Sequence, residues 1–221
     1  ACPFDKASAT GRTSPAHMEA LFAQVFDESG LPKMLCTRLD WTLLVFLSRG
    51  EPRLVDLLNS IDDQVLMCST VVLCDPSGII SSEHLTHRLF SRRDTVVRVS
   101  RRPFFEELLN VQEWIVVFSG GAMLCPNAIG ELVAAARQHP QVSLIYGDHD
   151  VCLKNKRRTD PFFTPQLSLD LLLSTNYIGS LLAVKRTALV SLSGLSMEVR
   201  VALWQIAWVA VESGALAHRV P

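Results

Sequence analysis

The sequence predicts an α/β protein: a mixed, mainly parallel sheet flanked by helices, with a helical arm at the N-terminus. Three observations predict it. From Trp41 onward, short apolar runs alternate with helical segments, the pattern of repeated βαβ units. The length of 221 residues fits one such domain, and 48% hydrophobic content supplies a rich core. Ahead of Trp41 lies a separate stretch whose one periodic feature is a single amphipathic segment.

Residues 1–13 are small and polar, the composition of a disordered tail. Ser14-Pro15 then opens a helix, with Pro in the first turn. Met18, Leu21, Phe22, Val25 and Phe26 recur at helical spacing, and Gly30 is placed to end the helix. Residues 1–40 therefore read as tail and arm, and 41–221 as the domain. Its expected strands are Thr42–Leu47, Thr70–Cys74, Thr95–Val99, Trp114–Phe118, Val142–Tyr146 and Ser180–Val184. The expected helices are Pro52–Asp62, Ser82–Phe90, Pro126–Gln138 and Met197–Glu212. A shorter helix is expected within Phe104–Val111, and a single turn of helix after Arg186.

Charge and cysteine usage remove several function classes. The 21 basic and 22 acidic residues nearly cancel, so no basic face for nucleic acid is expected. The cysteines Cys2, Cys36, Cys68, Cys74, Cys125 and Cys152 form no CxxC pair and no zinc-site spacing. Most sit in apolar runs, as buried reduced thiols of a cytosolic protein do. No run approaches the roughly 20 apolar residues needed to span a bilayer. The most apolar stretch, Val201 to Val211, is interrupted by Gln205. The start, Ala1-Cys2-Pro3, lacks a signal-peptide pattern, and the end, His218-Arg219-Val220-Pro221, reads as the edge of a fragment of a longer chain. The expected location is the cytoplasm, with the inner face of the membrane as an alternative.

The stretch from Val142 to Arg186 carries the most information. A buried strand ends in Tyr146-Gly147-Asp148-His149-Asp150, and a Lys/Arg-rich hairpin tip follows at Lys154 to Arg158. Next come Asp160-Pro161-Phe162-Phe163-Thr164-Pro165, then Asp170-Leu171-Leu172-Leu173, then Asn176-Tyr177-Ile178-Gly179. This order resembles the back half of the catalytic domain in family 2 glycosyltransferases of bacterial cell-surface polysaccharide pathways. The resemblance implies a GT-A, Rossmann-like fold, with a nucleotide-sugar lying across the carboxyl ends of the parallel strands. Strand ends near a reversal of strand order are also where general α/β architecture places a ligand crevice.

The same resemblance locates the chemistry and shows where this chain departs from it. After the first strand the family has Pro-x-Tyr-Asn near the base; here stand Ser48 and Arg49. After the second strand the family has Asp-Asp-x-Ser, whose carboxylate accepts from a uracil imide. Cys74 replaces the first Asp, while Asp75 and Ser77 remain as candidates for the base side. An ordinary Asp-Pro-Ser-Gly turn explains the same residues. After the fourth strand, Leu124-x-Pro126-x-Ala128 fixes the register of the family's Asp-x-Asp metal motif. Ser119, Gly120 and Gly121 occupy it and supply no carboxylate, which a hard divalent cation requires. Gly-rich backbone amides can bind phosphate without metal, so Ser119 and Gly120 stay nucleotide-binding candidates.

The family's catalytic base, an Asp at the start of the late helix, falls at Ala202-Leu203, with Glu198 as a substitute nearby. Asp148 and Asp150 read as an acidic turn facing the basic hairpin, and as the fallback metal ligands. Asn176 and Tyr177 match the family motif on its acceptor side. Arg101 and Arg102 could meet a diphosphate as fixed cations, or lie solvated at the surface. The helix bearing Trp204 and Trp208 is apolar nearly all round, so a protein partner or further chain is expected against it. The expected function is a glycosyltransferase-like module, catalytically degenerate, that binds a uridine-type nucleotide or nucleotide-sugar or serves as a scaffold. It needs no cofactor. The alternative is an active inverting transferase with an atypical base and a Mg or Mn site. A nicotinamide enzyme is set aside because no G-x-G-x-x-G follows the first strand.

Overall fold

The computed structural model describes residues 40–47, 53–91, 93, 95–101, 113–153, 158–192 and 199–221, with side chains in the last segment from 201. The expected N-terminal arm, Ser48, Arg49, Arg102, the Phe104–Val111 segment, the hairpin tip from Lys154 to Arg157 and Glu198 all lie outside the described residues.

Six consecutive buried residues make β1 (Trp41–Phe46), and the same pattern makes β4 (Trp114–Ser119). Runs apolar on both faces belong in the middle of a parallel sheet covered on both sides. There the two strands pair in parallel, with Trp41 and Trp114 stacked at 4.9 Å across their first rung. β2 (Thr70–Cys74) and β3 (Val96–Ser100) extend the sheet beyond β1. On the far side of β4 come β8 (Leu181–Lys185), β5 (Leu144–Gly147) and β9 (Ala217–Val220). Among the described residues the order is β3-β2-β1-β4-β8-β5-β9, and β8 alone runs against the rest. The chain leaves β1 in one direction and returns on its other side as β4. That reversal places a topological switch point between their carboxyl ends.

Helices cover both faces. α1 (Leu54–Asp62) buries Leu54, Leu57, Leu58 and Ile61, an i, i+3, i+4, i+7 stripe. With α2 (Ala128–Gln138) it packs on the face carrying Leu43, Val45, Val116 and Phe118. The other face, with Leu44, Val117, Leu144 and Tyr146, takes α3 (Leu169–Ser174) and α4 (Val199–Glu212). Ser168 caps α3, its hydroxyl accepting from the Leu171 N–H at 3.3 Å. Beside the main sheet, β6 (His149–Cys152) and β7 (Arg158–Phe162) form a two-stranded hairpin. A bulge between His149 and Val151 faces Asp160, whose φ of 51° is in the left-handed region that Asp tolerates.

One expectation changes. Ser82–Phe90 is not one α-helix but two short 3-10 turns, His84–Thr86 and Arg88–Ser91, separated by an extended His87. Side chains break the helix here. The His84 ring accepts from the Ser81 N–H, and the His87 ring accepts from the Leu89 N–H and bonds Asn59. The helix bearing Trp204 and Trp208 buries one side on the sheet. Ala202, Leu203, Ile206, Ala207 and Ala210 face the sheet, and the Trp204 indole donates to the Leu172 carbonyl at 2.7 Å. On the other side Trp204, Trp208, Val209 and Val211 are only partly buried.

Candidate functional site

The switch point is closed by a backbone clasp. The Gly120 N–H donates to Phe46 O at the end of β1, and the Ser119 N–H donates to Ser180 O at 2.9 Å. The Ser119 hydroxyl turns back onto Gly120 O at 3.0 Å. Gly121 has φ 83°, and a Cβ added there would meet nothing within 4 Å. Ser119, Gly120 and Gly121 thus form a rigid, uncharged turn at the carboxyl end of the central strand, with open space over Gly121.

Two strands across, at the end of β2, Asp75 is turned inward. It is 1% exposed, and its two oxygens accept from the Ile79 and Ile80 N–H groups at 2.9 Å each. The carboxylate expected on the base side therefore holds the β2 loop together. Ser77 is exposed in that loop, and Gly78 follows with φ 68°. A Cβ on Gly78 would lie 3.8 Å from Arg101 Nη2, so the guanidinium at the end of β3 reaches over this turn.

Asp148 differs from expectation in its partner. Rather than facing the basic hairpin, its buried carboxylate takes Arg219 of β9 in a two-pronged pair, at 3.1 Å from Nε and 2.7 Å from Nη2. It also accepts from the Thr164 N–H at 2.7 Å. Asp150 does face the hairpin, 2.7 Å from Arg158 Nε. Among the described residues, no group of three or more His, Cys, Asp or Glu side chains is placed to hold a metal ion. The turn that the resemblance aligns with a metal motif carries a hydroxyl and two glycines, and the carboxylates of Asp148 and Asp150 are engaged by Arg219 and Arg158.

The Ala202-Leu203 pair, at the register of the catalytic base, is buried against the sheet. Tyr177 is also inward, its hydroxyl accepting from the Ser168 N–H at 2.9 Å and its ring meeting Tyr146 edge-on. Burial first, then Tyr177, pushes the Tyr146 phenol well above its ordinary range. A cavity of about 500 Å³ opens between the hairpin, α2 and the carboxyl ends of β4, β5 and β9. Its wall takes Ile178 and Ser180 but neither Asn176 nor Tyr177 of the expected acceptor side.

Residues that sequence reasoning passed over converge on this cavity: Arg53, Cys125, Glu131, His149, Cys152 and Arg158. The His149 Nδ1 is buried without a hydrogen-bond partner, and its ring packs on Phe162 at 4.8 Å. Arg53 bonds Asp56 at 3.0 Å and the Cys152 carbonyl at 3.3 Å. The Asp56 hydrogen bond, with Cys152 adding to it, raises the already high pKa of Arg53.

Comparison with solved structures follows from this geometry. A mannosyltransferase from Pyrobaculum calidifontis, solved with GDP-Man and Mn2+, superimposes with a TM-score of 0.55 at 19% identity, over 84% of this chain and 56% of that one. The fold is that of a GT-A glycosyltransferase domain. A CMP:2-keto-3-deoxy-manno-octonic acid synthetase complexed with CTP matches at a TM-score of 0.46 and 11% identity, over 82% of this chain and 90% of that one, too distant to carry an argument. No protein-family model matches the chain. Among curated proteins, the O-antigen biosynthesis protein RfbC of Myxococcus xanthus is 38% identical over 72 residues. That match spans 33% of this chain and only 6% of the relative. No helix among the described residues is long and apolar enough to cross a membrane.

Proposed function

We propose that this chain is a glycosyltransferase-like module of envelope-polysaccharide assembly. It binds a uridine-type nucleotide or nucleotide-sugar at the switch point without a divalent cation, and it does not transfer the sugar. The observation that carries this reading is the Ser119-Gly120-Gly121 turn, pinned to the end of β1 where the resemblance calls for metal-binding carboxylates. Such a turn offers close approach over Gly121, but the Ser119 and Gly120 N–H groups are already engaged within the fold, and it supplies no charge to offset a leaving diphosphate. Arg101, whose guanidinium reaches over Gly78, is assigned to the phosphates. Ser77 is assigned to the nucleoside side, and Asp75 to shaping the loop that presents it.

Supporting the pathway is the local identity to a protein of O-antigen biosynthesis. The module works in the cytoplasm, where nucleotide-sugars are made available to such pathways. Calorimetric titration with uridine diphosphate tests the binding. Heat of binding that weakens in Arg101→Ala and is insensitive to manganese is expected. No binding, or binding unchanged by that substitution, would overturn the assignment.

A further inference from the structure

Helix α4 has two apolar sides. Ala202, Leu203, Ile206, Ala207 and Ala210 are buried against the sheet. On the opposite side Val201, Trp204, Trp208 and Val211 follow one another at i, i+3, i+7 and i+10, an apolar seam that stays only partly buried. α3 widens it. The Leu172 carbonyl takes the Trp204 indole, and Leu169 and Leu173, one turn apart, are 52% and 57% exposed. An apolar seam beside exposed leucines marks a place where another element packs. The nucleotide reading above makes no use of it.

The sequence holds a segment with the complementary pattern, ahead of the described residues. Between Pro15 and Glu28, Met18, Leu21 and Val25 repeat the i, i+3, i+7 spacing, with Phe22 and Phe26 beside them. Gln24 and Asp27 fall on the opposite side of such a helix. A helix this short is marginal alone in water and gains its stability by burying its apolar stripe. The segment also matches α4 in length, whose 14 residues span about 21 Å.

The route between them is short. The described chain starts at Asp40, and Trp41 opens the first rung of β1 beside Trp114 of β4. At the same end of the sheet the Arg186 N–H donates to Glu113 O at 2.8 Å. The 3-10 turn Arg186–Leu189 carries Ala188, whose carbonyl takes the Ser213 hydroxyl at 3.1 Å just past α4. Residues 31–39 need only cross from β1 to the tail of α4, and fully extended they span about 30 Å. A segment that ends there runs the same way as α4, which sets its stripe along the seam. Tethering also raises its concentration at the seam to roughly millimolar, ahead of a second copy or a free partner.

We propose that residues 14–29 dock as a helix on the outer side of α4 and parallel to it, with Met18, Leu21 and Val25 packed against Val201, Trp204, Trp208 and Val211. The occupant of the second apolar side is this chain's own arm. The arm then adds a further layer over this face of the sheet.

Amide hydrogen exchange of the full chain, read by mass spectrometry, tests this. Peptides within residues 14–29 are expected to exchange roughly tenfold more slowly than an unstructured chain. Trp208→Glu should remove that protection while β1 and β4 keep theirs. Should Trp208→Glu fail to fold, Leu21→Glu/Val25→Glu, which alters the arm alone, decides instead. It should strip the same protection and shift tryptophan emission to the red, and a Trp208→Phe background should remove most of that shift. No shift would place the arm elsewhere and overturn the proposal. Exchange of residues 14–29 at the unstructured rate, or protection that survives Trp208→Glu, would overturn it as well. Protection lost on dilution, together with a dimer in light scattering, would give the seam to a second copy and overturn it equally.

Discussion

Arg219 and Asp148 form a buried, two-pronged ion pair that ties the last strand, β9, to the acidic turn after β5. The Asp148 side chain is 0% exposed while that of Arg219 is 28% exposed, so the carboxylate depends on its partner more than the reverse. With Thr164 N–H as a third donor, both carboxylate oxygens are satisfied, and the residue serves the architecture of the turn.

Removing the cation should therefore be costly. Arg219→Ala leaves a buried, uncompensated carboxylate and is expected to destabilise the domain by about 3–5 kcal/mol. The double variant Asp148→Ala/Arg219→Ala should lose less than the sum of the single losses. Urea unfolding measures all three. A loss from Arg219→Ala below about 1 kcal/mol, the range of exposed pairs, would show that the pair is not buried in solution.

Gly179 explains the last residue of the Asn-Tyr-Ile-Gly motif in two ways. Its φ is 89°, and an added Cβ would stand 2.9 Å from His149 Nδ1. Gly179→Ala should cost about 1–3 kcal/mol from backbone strain, with the clash added to it. In a His149→Ala background the clash disappears and only the strain remains, so the penalty should fall. An equal penalty in both backgrounds, read from thermal midpoints, would mean that the ring does not touch this glycine.

The metal register can be tested by restoring what it lacks. Ser119→Asp/Gly121→Asp places two carboxylates on the turn, with open space around the second. Backbone strain at Gly121, whose φ is 83°, should cost about 1–3 kcal/mol, so circular dichroism first checks that the variant is folded. Manganese should then tighten nucleoside diphosphate binding roughly tenfold, or about 1.4 kcal/mol, where the native chain shows no such effect. A variant as indifferent to manganese as the native chain would remove Ser119 and Gly121 from the metal register.

Legibility in the sequence followed the range of the interactions. Thr70–Cys74 is expected to the residue and the other five expected strands to within one or two, because a covered sheet strand is a plain apolar run between polar turns, whereas β6, β7 and β9 are short and mixed and received no bounds. Helix α1 declared itself through its Leu54, Leu57, Leu58 and Ile61 stripe. Ser82–Phe90 carries the same kind of spacing, yet His84 and His87 compete for backbone N–H groups and leave only 3-10 turns. The partner of Asp148 was missed because Arg219 is 71 residues away, while the basic hairpin is adjacent in sequence. Cys125 and Arg158 likewise meet only because the hairpin folds back over α2, which no local pattern encodes.

Stability should also respond to pH through the end of β9. His218 stacks on His139 with ring centroids 4.0 Å apart. Burial, and after it the neighbouring His139, lowers the His218 pKa from its ordinary 6.5. As pH falls below about 6.5, the unfolded chain takes up this proton before the folded one does. The contribution of His218 is therefore complete above that pH and is lost as pH falls toward the folded-state value. His218→Gln should flatten the fall in urea midpoint between about pH 7.5 and about pH 5. An unchanged slope would assign the pH dependence to other groups.

The most direct test of the central claim is sugar release from nucleotide-sugars, with water and simple glycosides as acceptors and manganese both present and absent. On the reading proposed above, the Ser119–Gly121 turn lacks the metal carboxylates and the buried Ala202-Leu203 pair replaces the base, so two aids to the reaction are absent. Proton abstraction alone contributes about a hundredfold to ten-thousandfold, so turnover at the background rate is expected while the nucleotide still binds. Clear release above background, abolished by substituting a single carboxylate such as Asp148 or Asp150, would contradict the account and establish an active transferase.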